Sequence, residues 1–402
     1  MKYNFDEIIN RNNTNALSTD GFRSYMFHAG PDKVFPYRDE EFIRMWVADM
    51  EFATPPEICD AIKERADQRI FGYSKVFDTA YYSAFSAWCE NYYDWYFPQE
   101  ELVFSAGVIP ALYGLVEELV DKDEKMLITT PSYGFFKHAA TYNQVDLVYS
   151  PLKSEDGYFC IDFDDFEKKA ADAKMKLVVW CSPHNPTGRL WNEEELKRIA
   201  EIIEKNNLWV ISDEIHCDLL RTGNRHIPLG KVMPNYEKLI TCMSASKTFN
   251  LAGLMFANII IRDEELRKTF EARDKNAGFV NPLSLAAHQA AYEKGGAWLE
   301  QLKEYLDDNF RFVKEYLDKY LPEAIFMIPE ATYLAWIDIR HLLPGIDDVA
   351  LFFAERAGVL LEGGDDLFVD NAQGYIRLNL AMPNSIVEEG LKRICRAIDS
   401  HN

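Results

Sequence analysis

The chain has no CxxC pair, and its cysteine count is odd. Cys59, Cys89, Cys160, Cys181, Cys217, Cys242 and Cys395 are scattered along it. That usage fits reduced, cytosolic thiols better than a disulfide framework. Basic residues are also short: 43 Lys and Arg face 65 Asp and Glu, a net charge of -22. A phosphate backbone needs a basic footprint, so nucleic acid is excluded as a partner, and the acidity serves solubility. Long apolar runs are absent too. The longest, "LAGLMFANIII", is too short to span a membrane. The first residues, "MKYNFDEIINRNNTN", are polar and charged, unlike a signal peptide. No repeat or low-complexity tract interrupts the chain. What is present is an ordinary globular balance, 48% hydrophobic and 27% charged over 402 residues. That length supplies a sizeable core and suits two domains, or one large and one small.

Turn signals such as "NRNNTN" and "STDG" make residues 1–50 irregular. From about residue 100, strand and helix alternate. Apolar runs predict strands at 101–104, 125–130, 176–182, 208–215, 238–246 and 256–262. Between them, "IPALYGLVEELVDK" has helical spacing, with Pro110 in its first turn. "NEEELKRIAEIIEKNN" reads as a helix capped by Asn192, with acids in its first turn. Strands separated by helices imply an α/β fold, a mostly parallel sheet covered on both faces. From about residue 290 the character changes to long helices and short strands, "TYLAWIDI" and "GYIRLNL". The division expected is an N-terminal segment at 1–50, a large domain at 51–289 and a smaller α+β domain at 290–402.

Ligands of open α/β sheets sit beyond the carboxyl ends of the strands. Gly107, Val108 and Ile109 open a helix there, and its first amides suit an anion such as phosphate. Asn185 follows a strand in "SPHNPTGR", Asp213 ends "WVISD", and Lys247 follows "LITCMSAS". Singly, each is equally a turn or surface residue, and Tyr133 in "TPSYGFF" is equally a core aromatic. Together they suit one cofactor. Pyridoxal 5'-phosphate needs a lysine for its aldehyde, an anion cradle for its phosphate, and a carboxylate to keep its ring nitrogen protonated. Asn185 could donate to the ring's phenolate oxygen, and Tyr133 could stack on the ring face.

"SPHNPTGR", "SDEIH", "SASKTFNLAG" and "YIRLNL" resemble, in order and spacing over about 270 residues, the aminotransferase class I/II family of fold-type I pyridoxal phosphate enzymes. "NFDEIINRNNTN", "MWVADMEFATPP" and "IFGYSKV" resemble its cystathionine β-lyase, or C–S lyase, branch. The resemblance implies that Lys247 carries the cofactor as a Schiff base. It implies that Asp213 pairs with the pyridine nitrogen, Asn185 bonds the phenolate and Tyr133 stacks on the ring. Val108, Ile109 and Ser244 would hold the phosphate. Tyr73 would reach it from a neighbouring subunit, making the unit a homodimer. Arg377 would clamp the substrate α-carboxylate, and the wall near Trp46 and Val47 would set selectivity.

Two positions depart from the wider family. His216 stands where a tyrosine three residues past the aspartate is common, and Met255 where an arginine eight residues past the lysine is common. Both agree with the lyase branch, and the second removes one phosphate cation. "DEIHCD" lacks a second, spaced group of metal ligands. The reaction the branch implies is α,β-elimination. Lysine takes the Cα proton, a thiolate leaves Cβ, and pyruvate and ammonia remain. An aminotransferase on the same scaffold would use the same carboxylate clamp. A regulatory or partner-binding protein that keeps the fold is the other alternative.

Overall fold

Seven apolar runs pair into one sheet in the computed structural model, which describes residues 2–273, 279–364 and 367–401. They are β1 (Leu102–Ser105), β2 (Lys125–Thr130), β3 (Asp146–Pro151), β4 (Met175–Cys181), β5 (Trp209–Asp213), β6 (Leu239–Met243) and β7 (Ala257–Ile261). Their order across the sheet is β1-β7-β6-β5-β4-β2-β3. Only β7 runs against its neighbours, antiparallel to both β6 and β1. The inner strands read as apolar runs because both of their faces are covered, whereas the edge strand β3, "DLVYSP", is half-exposed. One face packs on helix α1 (Val108–Leu119), where Leu112, Leu115 and Val116 meet Ile211, Ile240 and Ile259. The other packs on α2 (Glu193–Lys205), where Leu196, Ile199 and Ile203 meet Val178, Val210 and Leu239.

Helix α2 begins where the sequence puts it. The Asn192 side chain accepts from Glu195 N–H (2.9 Å), and the Glu195 carboxylate accepts from Asn192 N–H (2.8 Å). This reciprocal cap satisfies two amides at the helix start and contributes about 1 kcal/mol. The run predicted as strand over 238–246 stops at Met243. There the Ser244 hydroxyl accepts from Ser246 N–H (3.1 Å) and starts the short helix α3 (Ala245–Thr248).

Beyond α4 (Pro282–Lys294) and α5 (Gly296–Tyr320), β8 (Leu334–Asp338), β9 (Glu362–Gly363) and β10 (Tyr375–Asn379) form a second, antiparallel sheet in the order β8-β10-β9. Its core includes Phe310, Val313, Ile337, Leu378 and Leu391, and also Met45 from the other end of the chain. Phe22, Phe35, Phe42 and Trp46 pack with Ala354 and Leu360. Ile43 and Arg44 pair in parallel with Val359 and Leu360. The early segment is therefore tied to the C-terminal sheet, and its residues 45–49 lie along the ends of the central strands.

Candidate active site

The carboxyl ends of β4, β5 and β6 and the start of α1 surround a cavity of about 230 Å³. Asp213, Asn185, His216 and Lys247 line it from the strand ends. Gly107, Val108 and Ile109 line it from α1, and Tyr133, Trp46, Val47 and Arg377 close its sides. Lys247 Nζ donates to Ala48 O (2.6 Å), and Tyr333 OH donates to the same carbonyl (2.8 Å). Burial pushes the Lys247 amine down to about 8, although nearby Asp49 favours its charge. Asp213 ends β5 with only a sliver exposed. Burial pushes its carboxyl up to about 6, against the Ile215 N–H bond it accepts (3.2 Å). A cation seated against it would restore the ionised form.

Arg377 is fully buried on β10. Nη2 donates to Trp46 O (2.8 Å), Nη1 to Asn185 Oδ1 (3.4 Å), and Nε has no acceptor among the described residues. Its guanidinium also lies 5.1 Å from the centre of the Phe368 ring. His216 is buried beside Lys247 and Arg377. Burial, then those two cations, push its imidazole down to about 3, and Nδ1 has no partner. The Tyr133 ring stacks on Phe135 at 5.1 Å. The amides of Val108 and Ile109 precede the first bond of α1, Ala111 N–H to Gly107 O (3.2 Å), so they point out of the helix end. Met255 lines the same cavity, so that wall presents a thioether and the open helix amides, and no guanidinium.

Ser244 and Tyr73 do not line the cavity of their own chain; Tyr73, expected to act on a neighbouring subunit, was not expected to. Ser244 lies behind the cavity wall, its hydroxyl donating to Phe256 O (2.7 Å), while its neighbour Ser246 reaches the lining. Tyr73 is 95% exposed and packs on Phe279 with ring centres 5.3 Å apart, away from the cavity of its own chain. The acids of "DEIHCD" diverge. Asp213 faces the cavity, Glu214 accepts from Ser212 (2.8 Å) and bonds His226 (2.7 Å), and Asp218 accepts from Thr248 (2.7 Å). Among the described residues no three potential metal ligands converge.

Several site residues carry no motif. Asn379 Nδ2 donates to Val47 O (2.8 Å) and to Asp49 O. Asn379 is two residues past Arg377 and so on the same face of β10; the period-2 rule applied to "YIRLNL" would have found it. Arg11 holds Asp49 (2.8 Å) and Glu51 (3.0 Å), clasping the segment whose carbonyls receive Lys247 and Arg377. Tyr25 and Glu362 also line the cavity.

The donor set fits pyridoxal phosphate. A buried amine whose pKa is pushed down to about 8 suits an aldehyde, and a buried carboxyl suits the ring nitrogen. Two helix amides at the end of α1 suit a phosphate, and a buried guanidinium has an N–H with no acceptor among the described residues.

Known proteins share this plan. Cystathionine beta-lyase PatB of Bacillus subtilis (strain 168) is 35% identical over 359 residues, 88% of this chain and 92% of that protein. Protein MalY of Escherichia coli (strain K12) is 34% identical over 88% of this chain and 90% of its own length. The crystal structure of the PLP-bound C-S lyase from Staphylococcus hominis superposes with a TM-score of 0.94 at 49% identity, covering 99% of this chain and 98% of that one. The family model for aminotransferase class I and II matches residues 40–394, which contain both sheets and all four strand-end residues. With Lys247, Asp213, Asn185 and Arg377 gathered on one cavity along that match, the chain belongs to the aminotransferase class I and II family.

Proposed function

We propose that this protein is a pyridoxal phosphate-dependent carbon–sulfur lyase that cleaves L-cystathionine and related β-thio amino acids to a thiol, pyruvate and ammonia. The observation that carries the reading is the convergence of Lys247, Asp213, Asn185 and Arg377 on one cavity. The named activities of PatB and of the Staphylococcus hominis enzyme support the choice of elimination. When bound, the cofactor supplies an electron sink that acidifies the substrate Cα–H.

The chain's own residues do the rest. Lys247 would anchor the cofactor by its aldehyde, and the same amine, when free, would take the Cα proton. Its buried setting leaves it neutral often enough to serve as a base near neutral pH. Asp213 would hold the ring nitrogen's proton, and Asn185 would donate to the phenolate oxygen. Tyr133 would cover the ring, and the amides of Val108 and Ile109 would receive the phosphate. Arg377 grips the α-carboxylate and so orients the Cα–H bond toward Lys247. His216 stays uncharged and adds no competing proton.

Product analysis with the holoenzyme and L-cystathionine tests the reading. Homocysteine, pyruvate and ammonia in equal amounts are expected without any keto acid added. Turnover that requires a keto acid and releases no pyruvate would make it an aminotransferase instead.

The working unit we propose is a two-fold homodimer with shared sites. Ile70, Phe71, Tyr73, Phe77 and Phe279 are exposed on one chain, an apolar patch of the kind that marks an association surface. Sedimentation should give a mass near twice 46.5 kDa. Mixed Tyr73→Phe and Lys247→Ala chains should regain activity that neither has alone; a fully active monomer would reject the dimer. Within each chain, 51–289 is proposed as the cofactor-binding unit and 290–402 as the smaller one, with 1–50 packed on the latter. All seven cysteines are free thiols, which supports a reducing, cytoplasmic setting. No described helix is long and apolar enough to cross a membrane.

A further inference from the structure

Asp218, the last acid of "DEIHCD", is buried and lines no part of the Lys247 cavity. Both of its oxygens accept. Oδ1 takes the indole N–H of Trp88 (3.0 Å) and the Tyr93 hydroxyl, and Oδ2 takes the Thr248 hydroxyl (2.7 Å). All three donors are buried side chains. Burial, then the Asp218 charge, push the Tyr93 phenol up, so it keeps its proton and donates. A buried carboxylate held by neutral donors is a costly way to fill space, so the question is what its bonds hold in place.

Thr248 directly follows Lys247 on α3. That helix is a single turn, too short to hold itself. The Ser244 cap fixes its start (3.1 Å). Just beyond its end, Asn250 accepts from Met50 N–H (3.0 Å) and donates to Met50 O (2.9 Å). Successive side chains on a helix diverge by about 100°. Ser246 and Lys247 line the cavity, whereas Thr248 is turned into the core. A bond that fixes Thr248 therefore fixes the rotation of this turn about its axis. It fixes with it the direction in which the Lys247 stem leaves the backbone.

We infer that Asp218 is a positioning residue for Lys247: by holding the Thr248 hydroxyl, it aims the lysine amine into the cavity. The inference rests on the reading of Lys247 as the anchor of the cofactor. Asp218 reaches the site through one hydroxyl only. The Trp88 and Tyr93 donors fix the carboxylate from the core side, and the carboxylate fixes α3. Without that bond the amine keeps its tether to the chain but loses its direction, and a misaimed nucleophile reacts more slowly than one already aligned.

The test uses the full-length protein freed of cofactor, and two ligands. Pyridoxal phosphate reports covalent capture, in which Lys247 Nζ condenses with the aldehyde and water leaves; stopped-flow absorbance gives its rate. Pyridoxamine phosphate has no aldehyde, so its dissociation constant, read from tryptophan fluorescence, reports the pocket without the lysine bond. Thr248→Ala removes the hydroxyl and adds no bulk. It should slow capture roughly tenfold and leave pyridoxamine phosphate binding unchanged. Thr248→Ser keeps the hydroxyl and should restore capture. In Asp218→Asn the one oxygen stays with the two ring donors and an NH2 faces Thr248, so capture should slow about threefold, again with pyridoxamine phosphate binding unchanged. Capture at the wild-type rate by either Thr248→Ala or Asp218→Asn would overturn the inference. Parallel loss of capture and of pyridoxamine phosphate binding would make Asp218 a support of the fold alone and overturn it as well. So would a failure of Thr248→Ser to restore the rate. The underlying reading fails in a different way: borohydride reduction of the wild-type holoenzyme would then label a lysine other than Lys247.

Discussion

Lys247→Ala lowers turnover by at least about 10³-fold, the scale of a removed proton-transfer group. The variant keeps the fold, because the side chain makes one hydrogen bond, to Ala48 O, and Tyr333 still occupies that carbonyl. Borohydride reduction of the wild-type holoenzyme should place the pyridoxyl group on the peptide containing Lys247, and a label on any other lysine would end the assignment. The sheltered amine also fixes a pH dependence. A lysine at its usual 10.5 is almost wholly protonated near neutrality; one pushed down to about 8 is neutral roughly 300 times as often. Only the neutral amine attacks an aldehyde. Capture of pyridoxal phosphate by the apoprotein should therefore accelerate as pH rises and level off above about 8, not above 10.5. Stopped-flow absorbance against pH reads this directly. Lys247→Arg, which cannot lose its proton, should show no covalent capture at any pH.

Arg377→Ala carries the second large effect. The guanidinium is buried with one N–H unused, a setting in which a carboxylate gains a charge-assisted pair with little competition from water. Losing it should weaken every amino-acid substrate by a similar factor, about 2–5 kcal/mol in apparent binding. Cystathionine, cystine and S-alkyl cysteines share the α-carboxylate and differ beyond Cβ, so kcat/KM should fall in parallel across them. Changes at Trp46, which is pinned by its indole N–H to Ser18 O (3.1 Å), should reorder them instead. Harm to cystathionine with cystine spared would remove Arg377 from carboxylate recognition. Arg377→Lys should rescue little, since an ammonium cannot reproduce the two-pronged contact.

Six of the seven strands of the central sheet were legible because their burial writes apolar runs; the edge strand β3, "DLVYSP", is half-exposed and was not read as a strand. Asp213 and Lys247 were legible only as a set: each alone reads as a turn or surface residue, but charges at successive strand ends fall on one edge of the sheet. Helix α2 announced itself through Asn192 and Glu195. Other parts leave no such mark. Ala48 contributes a carbonyl, which every residue possesses, so no side-chain pattern points to it. Glu362 follows "VLL" and precedes two glycines, and an acid there reads as a turn. Arg11 acts through Asp49, 38 residues away, and that pairing exists only once the segment has folded back. Ser244 is a further case. The family resemblance assigns it to the phosphate, and in this structure its hydroxyl donates to Phe256 O and accepts at the start of α3, bonds that no side-chain pattern announces.

The carbonyls of Trp46 and Ala48 meet Arg377 and Lys247 across 331 and 199 residues of sequence. Asn379 reaches Val47 across 332. A ribosome extends a chain at about 5–20 residues per second, and the early part begins to fold while the rest is unmade. Through that interval the segment around Trp46 has neither of its distant partners, and the lysine, once made, stands in a half-walled cleft. The substrate clamp forms only after residue 379 clears the exit tunnel and β10 docks. A reactive amine and an electron-withdrawing cofactor would be a hazard to free amino acids if assembled early. Because Arg377 and Asn379 are made late, a chain ending before β10 lacks the groups that meet the carbonyls of Trp46 and Val47, and it is expected to bind no amino-acid carboxylate at that wall.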